Sequence, residues 1–139
     1  MIDFVYESDF EVVDSNKYTD WLNNVILSEN KIPGELCFIL STDENVLKIN
    51  EQYLGHTDYT DVITFDYTNG IEIHGDIFIS MERIQENAKR YKVEEEEELR
   101  RVMAHGVLHL IGYTDKTEQG KTEMTCKENE KLKMFHVEQ

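Results

Sequence analysis

The chain has 139 residues, 40% of them hydrophobic, with a single proline and two cysteines. That suits one globular domain with its own core and excludes a disordered, low-complexity or disulfide-stapled chain. A net charge of −15 weighs against DNA or any other polyanion held on a generally basic surface.

No apolar run approaches the roughly 18 residues that span a bilayer. Residues 1–10 (MIDFVYESDF) lack the basic start and apolar middle of an export signal. The expectation is a cytoplasmic protein with no membrane and no DNA partner. The acid is unevenly spread: residues 1–80 hold 16 Asp and Glu against 3 Lys and Arg, whereas residues 81–133 hold 12 against 11. The second part therefore leaves room for a local basic surface.

In chain order, residues 1–6 are short, apolar and partly alternating, a strand pattern. Residues 15–29 place Tyr18, Trp21, Leu22, Val25 and Ile26 at helical spacing, with Ser15 as the expected N-cap. Pro33-Gly34 is expected to break the chain, and residues 35–40, with Cys37 in the apolar run LCFIL, to form a buried strand. Residues 42–53 stack Val46, Ile49, Asn50 and Tyr53 behind Ser41 or Thr42 as cap. Strand, helix, strand, helix at these lengths predicts a parallel pair joined by a right-handed crossover.

Alternation then takes over in residues 61–67 (DVITFDY) and 71–80 (IEIHGDIFIS). Between them stands Thr68-Asn69-Gly70, and Asn-Gly is the strongest short hairpin signal, so an antiparallel strand joins the sheet. Ile71, Ile73, Ile77 and Ile79 share one face of the second strand; Glu72, His74, Asp76, Phe78 and Ser80 take the other. Helices are expected at about 81–91, 94–111 and 118–135. Residues 94–98, all glutamate, fit a helix N-terminus, whose dipole favours negative charge. The predicted fold is a single α/β domain over residues 1–139. Its mostly parallel four-stranded sheet carries one antiparallel strand and is flanked by about five helices.

The run from Val102 to Gly112, VMAHGVLHLIG, contains only two ionisable residues, His105 and His109. A helix apolar on every side is buried, and a buried polar group without a partner costs about 1–3 kcal/mol. A lone core histidine is usually satisfied by an ordinary hydrogen bond. Two histidines at i and i+4 lie one above the other on a helix and reach one point in space, the helical spacing for zinc. Gly112 can end the helix in a left-handed conformation, and the chain then returns with Asp115 as a third ligand. Three protein ligands leave a position open, the pattern of a catalytic metal site and not of a closed structural one. The spacing also matches the metzincin protease pattern, but there a glutamate must follow the first histidine as general base. Gly106 stands in that place, which excludes proteolysis by that mechanism.

HGVLHLIGYTD at residues 105–115 resembles HGxLHLxGYDH, the signature of the YbeY family of metal-dependent endoribonucleases. Residues 60–65 (TDVITF) resemble the family's TDVLSF, and residues 75–80 (GDIFIS) its GDI strand, so the similarity spans roughly residues 35–130. The resemblance implies an α/β sandwich with a mostly parallel four-stranded sheet. It implies a single-strand-specific endoribonuclease in ribosomal RNA maturation, at the 3′ end of the small-subunit RNA, and in ribosome quality control. The implied partners are single-stranded or ribosomal RNA and the ribosome or its proteins. His105 and His109 match the family's first two metal ligands. The third, a histidine in the family, is Asp115 here, and Thr114 stands where the family has Asp. Two His and a carboxylate hold catalytic zinc well and also resemble the set that binds Fe(II); zinc is the expected cofactor.

Many members carry a Tyr-Arg pair before the TDVLSF segment, with the arginine assisting catalysis. Here the pair is Tyr53-Leu54, and Leu54 cannot bind phosphate. His56 and Arg83 are the candidates to replace it; each is otherwise a surface residue. Thr60, Asp61, Thr64 and Asp76 are expected to wall the site. Asp61 or Asp76 is then the candidate to orient a ligand histidine, or else a turn or cap residue. Tyr59, Tyr67 and Tyr113, with Lys116 and Arg83, are candidate RNA contacts, although core packing is the commoner use of each tyrosine. Two other readings stay open. A ribosome-assembly module with a structural metal is favoured by Leu54, and a metal-dependent hydrolase of a small substrate by the acidic composition.

Overall fold

The computed structural model describes residues 1–12, 14–56 and 58–136. Among these, the chain order is β1 (Ile2–Tyr6), α1 (Ser15–Ser28), β2 (Ile32–Ser41), α2 (Asp43–Leu54), β3 (Val62–Asp66), β4 (Glu72–Ser80), α3 (Met81–Tyr91), α4 (Glu95–Ile111) and α5 (Glu118–Met134). The four strands form one sheet in the order β1-β2-β4-β3. The β1–β2 and β2–β4 pairs are parallel and β3–β4 is antiparallel, which is the α/β class the sequence predicts. The β3–β4 hairpin closes through Asn69 and Gly70: Asn69 bridges Glu72, Gly70 has φ +62°, and the Thr68 amide donates to Asp66 Oδ1 at 2.8 Å.

Two local expectations are corrected. Pro33-Gly34 does not break the chain; β2 runs through it, with a register shift between Pro33 and Leu36. The kink leaves the Glu35 amide to donate to His74 Nδ1 at 2.9 Å. The imidazole then lies against Gly34, where any Cβ would collide with it. The α1 cap is Asp14, which accepts from the Lys17 amide at 3.1 Å, and not Ser15, which is already helical. Thr42, Ser80 and Thr117 cap α2, α3 and α5 in the usual way.

Side-chain alternation divides the sheet. Leu36, Phe38, Leu40, Ile73, Ile77 and Ile79 face a core shared with α1 and α4, and each is almost fully buried. Burying an aliphatic or aromatic side chain of this size contributes about 1.5–3 kcal/mol. α5 packs over α1 and α4, and α2 lies against β3, β4 and α3. Cys37 is only half-buried and Cys126 exposed; both are free.

α5 is polar along much of its length and docks through specific bonds. The Trp21 indole donates to the Lys131 carbonyl at 2.7 Å. The Lys131 ammonium, 1% exposed, reaches Glu29 Oε2 at 2.6 Å. Lys127 reaches the same oxygen at 3.2 Å, and the Tyr113 hydroxyl donates to Glu29 Oε1 at 2.6 Å. Burial pushes the Glu29 carboxyl up, but the hydrogen bonds from Lys131, Tyr113 and Lys127 outweigh it and lower it from 4.5 to about 2. A lowered value means that this stabilisation is present above pH 4.5 and is lost as pH falls from there towards 2. Urea unfolding of wild type and Glu29→Gln should therefore differ by about 2–3 kcal/mol at pH 7, narrowing between pH 4.5 and 3. A difference that does not change with pH contradicts the assignment.

Candidate metal centre

α4 buries Leu99, Val102, Met103, Gly106, Val107, Leu108 and Leu110. Gly106 lets it lie close to the sheet: a Cβ there would stand 3.1 Å from Ile77 and 3.3 Å from Thr64. The remaining stripe, at i, i+4 and i+8, carries Arg101, His105 and His109, all half-buried. The helix is thus not enclosed on every side, and the two imidazoles line an opening. Gly112 ends the helix with φ +127° and ψ 0°, a conformation that side chains disfavour. Its amide donates to the carbonyls of Leu108 and His109, both at 3.1 Å.

The turn brings Asp115 back to the histidines. Nε2 of His105 and Nε2 of His109 are 3.0 Å apart, and Asp115 Oδ2 lies 3.4 Å from the first and 3.6 Å from the second. The three can hold one metal ion. Tetrahedral zinc with bonds of about 2.0–2.1 Å needs ligand atoms about 3.3 Å apart, and the three separations bracket that value. The other ring nitrogens are occupied. His105 Nδ1 is 2.6 Å from Glu128 Oε2, and His109 Nδ1 is 3.0 Å from the Tyr113 carbonyl. Both partners only accept, so each Nδ1 carries its hydrogen and Nε2 is the nitrogen whose lone pair is left for a metal. Two Nε2 atoms and a carboxylate oxygen then converge on one point, where a cation satisfies all three.

Burial lowers the pKa of His105, but the Glu128 hydrogen bond and charge, helped by Asp115 and Asp61, outweigh it and leave the value raised. A proton therefore competes for the same position as the metal. Glu128, 23 residues from His105, has no local signal in the sequence; docking of α5 on α4 supplies it. Its other oxygen accepts from Arg101 Nη1 at 2.9 Å.

The remaining candidates separate into two groups. A cavity of about 560 Å³ opens on the triad and is lined by Leu54, His56, Tyr59, Thr60, Asp61 and Thr64 among others. Asn50 holds its rim, with Nδ2 donating to the Asp58 carbonyl at 2.8 Å. Asp61 is half-buried, and the loss of water around its carboxylate raises its pKa against the opposing charge of His105. Asp76 lies elsewhere. It pairs with Cys37 in register on β4 and faces away from Ile77, and therefore from α4. Orientation of the His105 ring falls to Glu128 and not to Asp76. Arg83 is held by Asp43 at 3.1 Å and Glu86 at 3.7 Å. Its guanidinium lies 4.9 Å from the centre of the Tyr59 ring.

Tyr59 and Tyr67 are 53% and 59% exposed, so neither is a core residue, whereas the Tyr113 hydroxyl is engaged by Glu29. Lys116 is exposed. The room left for a basic surface is not filled at the triad: Asp61, Glu97, Glu98 and Glu128 line a second cavity beside it, with Arg101 as its cation.

Residues 4–136 match the family model described as Endoribonuclease YbeY. Proteins named Endoribonuclease YbeY are similar over the whole length. That of Flavobacterium psychrophilum is 56% identical, covering 100% of this chain and 99% of its own. That of Flavobacterium johnsoniae is 52% identical, covering 100% of both. The solution structure of a Thermotoga maritima protein superposes with a TM-score of 0.68 at 25% identity, covering 97% of this chain and 89% of that one. By sequence over nearly all its length, and by fold, the chain belongs to the YbeY endoribonuclease family.

Proposed function

We propose that the protein is a zinc-dependent endoribonuclease that cleaves single-stranded RNA in the cytoplasm, within ribosomal RNA maturation and in contact with the ribosome. The observation that carries this reading is the convergence of His105, His109 and Asp115 on one point open to a cavity. A structural zinc site is closed by four protein ligands; three half-exposed ligands do not suit one. A metal held there would supply Lewis acidity towards a phosphodiester and a bound water of lowered pKa.

The chain's own residues do the rest. Glu128 and the Tyr113 carbonyl fix the two imidazole rings. Asp61, half-buried on the cavity wall, would accept or hold a proton near the reacting phosphate. His56 stands in the loop after Leu54, where an imidazole N–H can donate to a phosphate oxygen in place of the missing arginine. Tyr59, propped by Arg83, offers a stacking face for a base. Asp76 has no part in this reading.

The test uses an unstructured RNA oligonucleotide with holoprotein, chelator-stripped protein and stripped protein restored with zinc. Cleavage is expected from the first and third only, and the chemistry of the product ends tells whether water or the ribose 2′-hydroxyl attacks. Intact RNA at full metal occupancy rules the reading out. The net charge of −15 favours a second reading, hydrolysis of a small substrate. RNA binding should weaken steeply with salt, and a small neutral substrate should not respond.

A further inference from the structure

Glu98 stands apart from the run of glutamates that starts α4. Glu95 and Glu97 are exposed and face solvent, but Glu98 is 5% exposed and lines a cavity of about 690 Å³ next to the triad. Among the described residues no hydrogen bond or ion pair reaches its carboxylate. Arg101 opens on the same cavity, but its guanidinium is engaged by Glu128 at 2.9 Å and by Asn129 at 2.7 Å. Asp61, half-buried, borders this cavity and the one in front of the triad.

A carboxylate on a largely buried side chain that meets only a cavity, without a partner, is less well solvated than in water, and a second one nearby makes it worse. Burial, followed by the charge of Asp61, pushes the Glu98 carboxyl up to about 7. Either a proton or a cation relieves such a site.

We propose that Asp61 and Glu98 hold a second divalent cation, magnesium or manganese, in the cavity beside the His105–His109–Asp115 site. The two donor sets differ in kind. Two imidazoles and a carboxylate suit zinc, whereas carboxylate oxygens alone suit hard cations. Magnesium is commonly held by one or two carboxylates, with waters and substrate phosphate oxygens completing its shell. The cavity has room for those waters. A cation there also offsets the acidic lining that would otherwise repel an RNA phosphate arriving at the triad. That last role rests on the RNA-cleaving reading above; binding of the cation does not.

The experiment is a manganese titration, followed by electron paramagnetic resonance, of full-length protein loaded with one equivalent of zinc. Zinc stays at the triad because it outcompetes manganese for nitrogen ligands. Wild type should bind one further manganese ion with a Kd below about 1 mM. Glu98→Gln, which keeps the shape of the side chain, should bind it at least about tenfold more weakly while retaining zinc and its fold. Asp61→Asn gives an independent second variant. Absence of a bound manganese ion in the zinc-loaded wild type, or binding by Glu98→Gln and Asp61→Asn equal to that of wild type, overturns the proposal. No RNA is present, so this outcome is independent of whether the protein cleaves RNA.

Discussion

Replacing His109 by alanine should release the metal and reduce RNA cleavage by at least about 100-fold, with little loss of stability. Changes to residues that merely orient a metal ligand typically cost 10–100-fold, so removing a ligand outright should cost at least the upper end of that range. The remaining pair, His105 and Asp115, would leave two protein ligands where catalytic zinc usually has three. The His109 side chain is 28% exposed and lies at the opening, not in the core. Its loss therefore creates no sealed cavity, and the bond it gives up goes to a carbonyl at the end of α4. Zinc content by mass spectrometry, cleavage of single-stranded RNA and the urea midpoint should be measured on the same preparation. A variant that has lost its zinc but cleaves like wild type would sink the metal-dependent reading.

Glu128→Gln should weaken zinc binding by about 10–100-fold without abolishing it, and excess zinc should restore cleavage. Glu128 accepts from His105 through one oxygen at 2.6 Å and from Arg101 through the other at 2.9 Å. A glutamine has only one acceptor oxygen, so its amide group must face one of those two donors. Either the imidazole ring loses its orientation or Arg101 loses its anchor. The substitution also removes the main influence that raises the His105 pKa, which reduces competition from protons. That works against the loss of affinity, so the comparison belongs at about pH 8, where the proton competes least with the metal. A competing chelator gives the affinities directly. Equal zinc affinity in the two proteins would reduce Glu128 to a simple link between helices. The contrast with His109→Ala is diagnostic: a lost ligand is not rescued by zinc, a misoriented one is.

Much of the metal centre was legible before any folding was considered. The i, i+4 histidines, the glycine stop and the returning aspartate lie within residues 105–115. Helix pitch and one turn are local geometry, so spacing alone brings those three side chains together. The order of strands and helices was equally readable, because period 2 and period 3.6 belong to short stretches. Cap positions and the passage of β2 through Pro33-Gly34 were not. The first depends on which of two neighbouring polar residues, Asp14 or Ser15, stands just outside the first helical turn. The second depends on His74, 40 residues later, accepting the amide that the kink displaces.

Alternation along β4 already set Asp76 opposite Ile77. Only packing decided that α4 would take the Ile77 face, with Gly106 against that side chain, and this removed Asp76 from the site. The five glutamates at 94–98 look alike as a string of letters, yet the rotation of α4 buries Glu98 alone, on the wall of a cavity shared with Asp61. Glu128 is the clearest case. The sequence by itself determined which three residues can hold a metal, because their meeting needs one helix and one turn. Only the tertiary structure decided which residues orient and surround them, because those contacts join α5, β3 and the start of α4 to the histidine stripe across separations that no local period encodes.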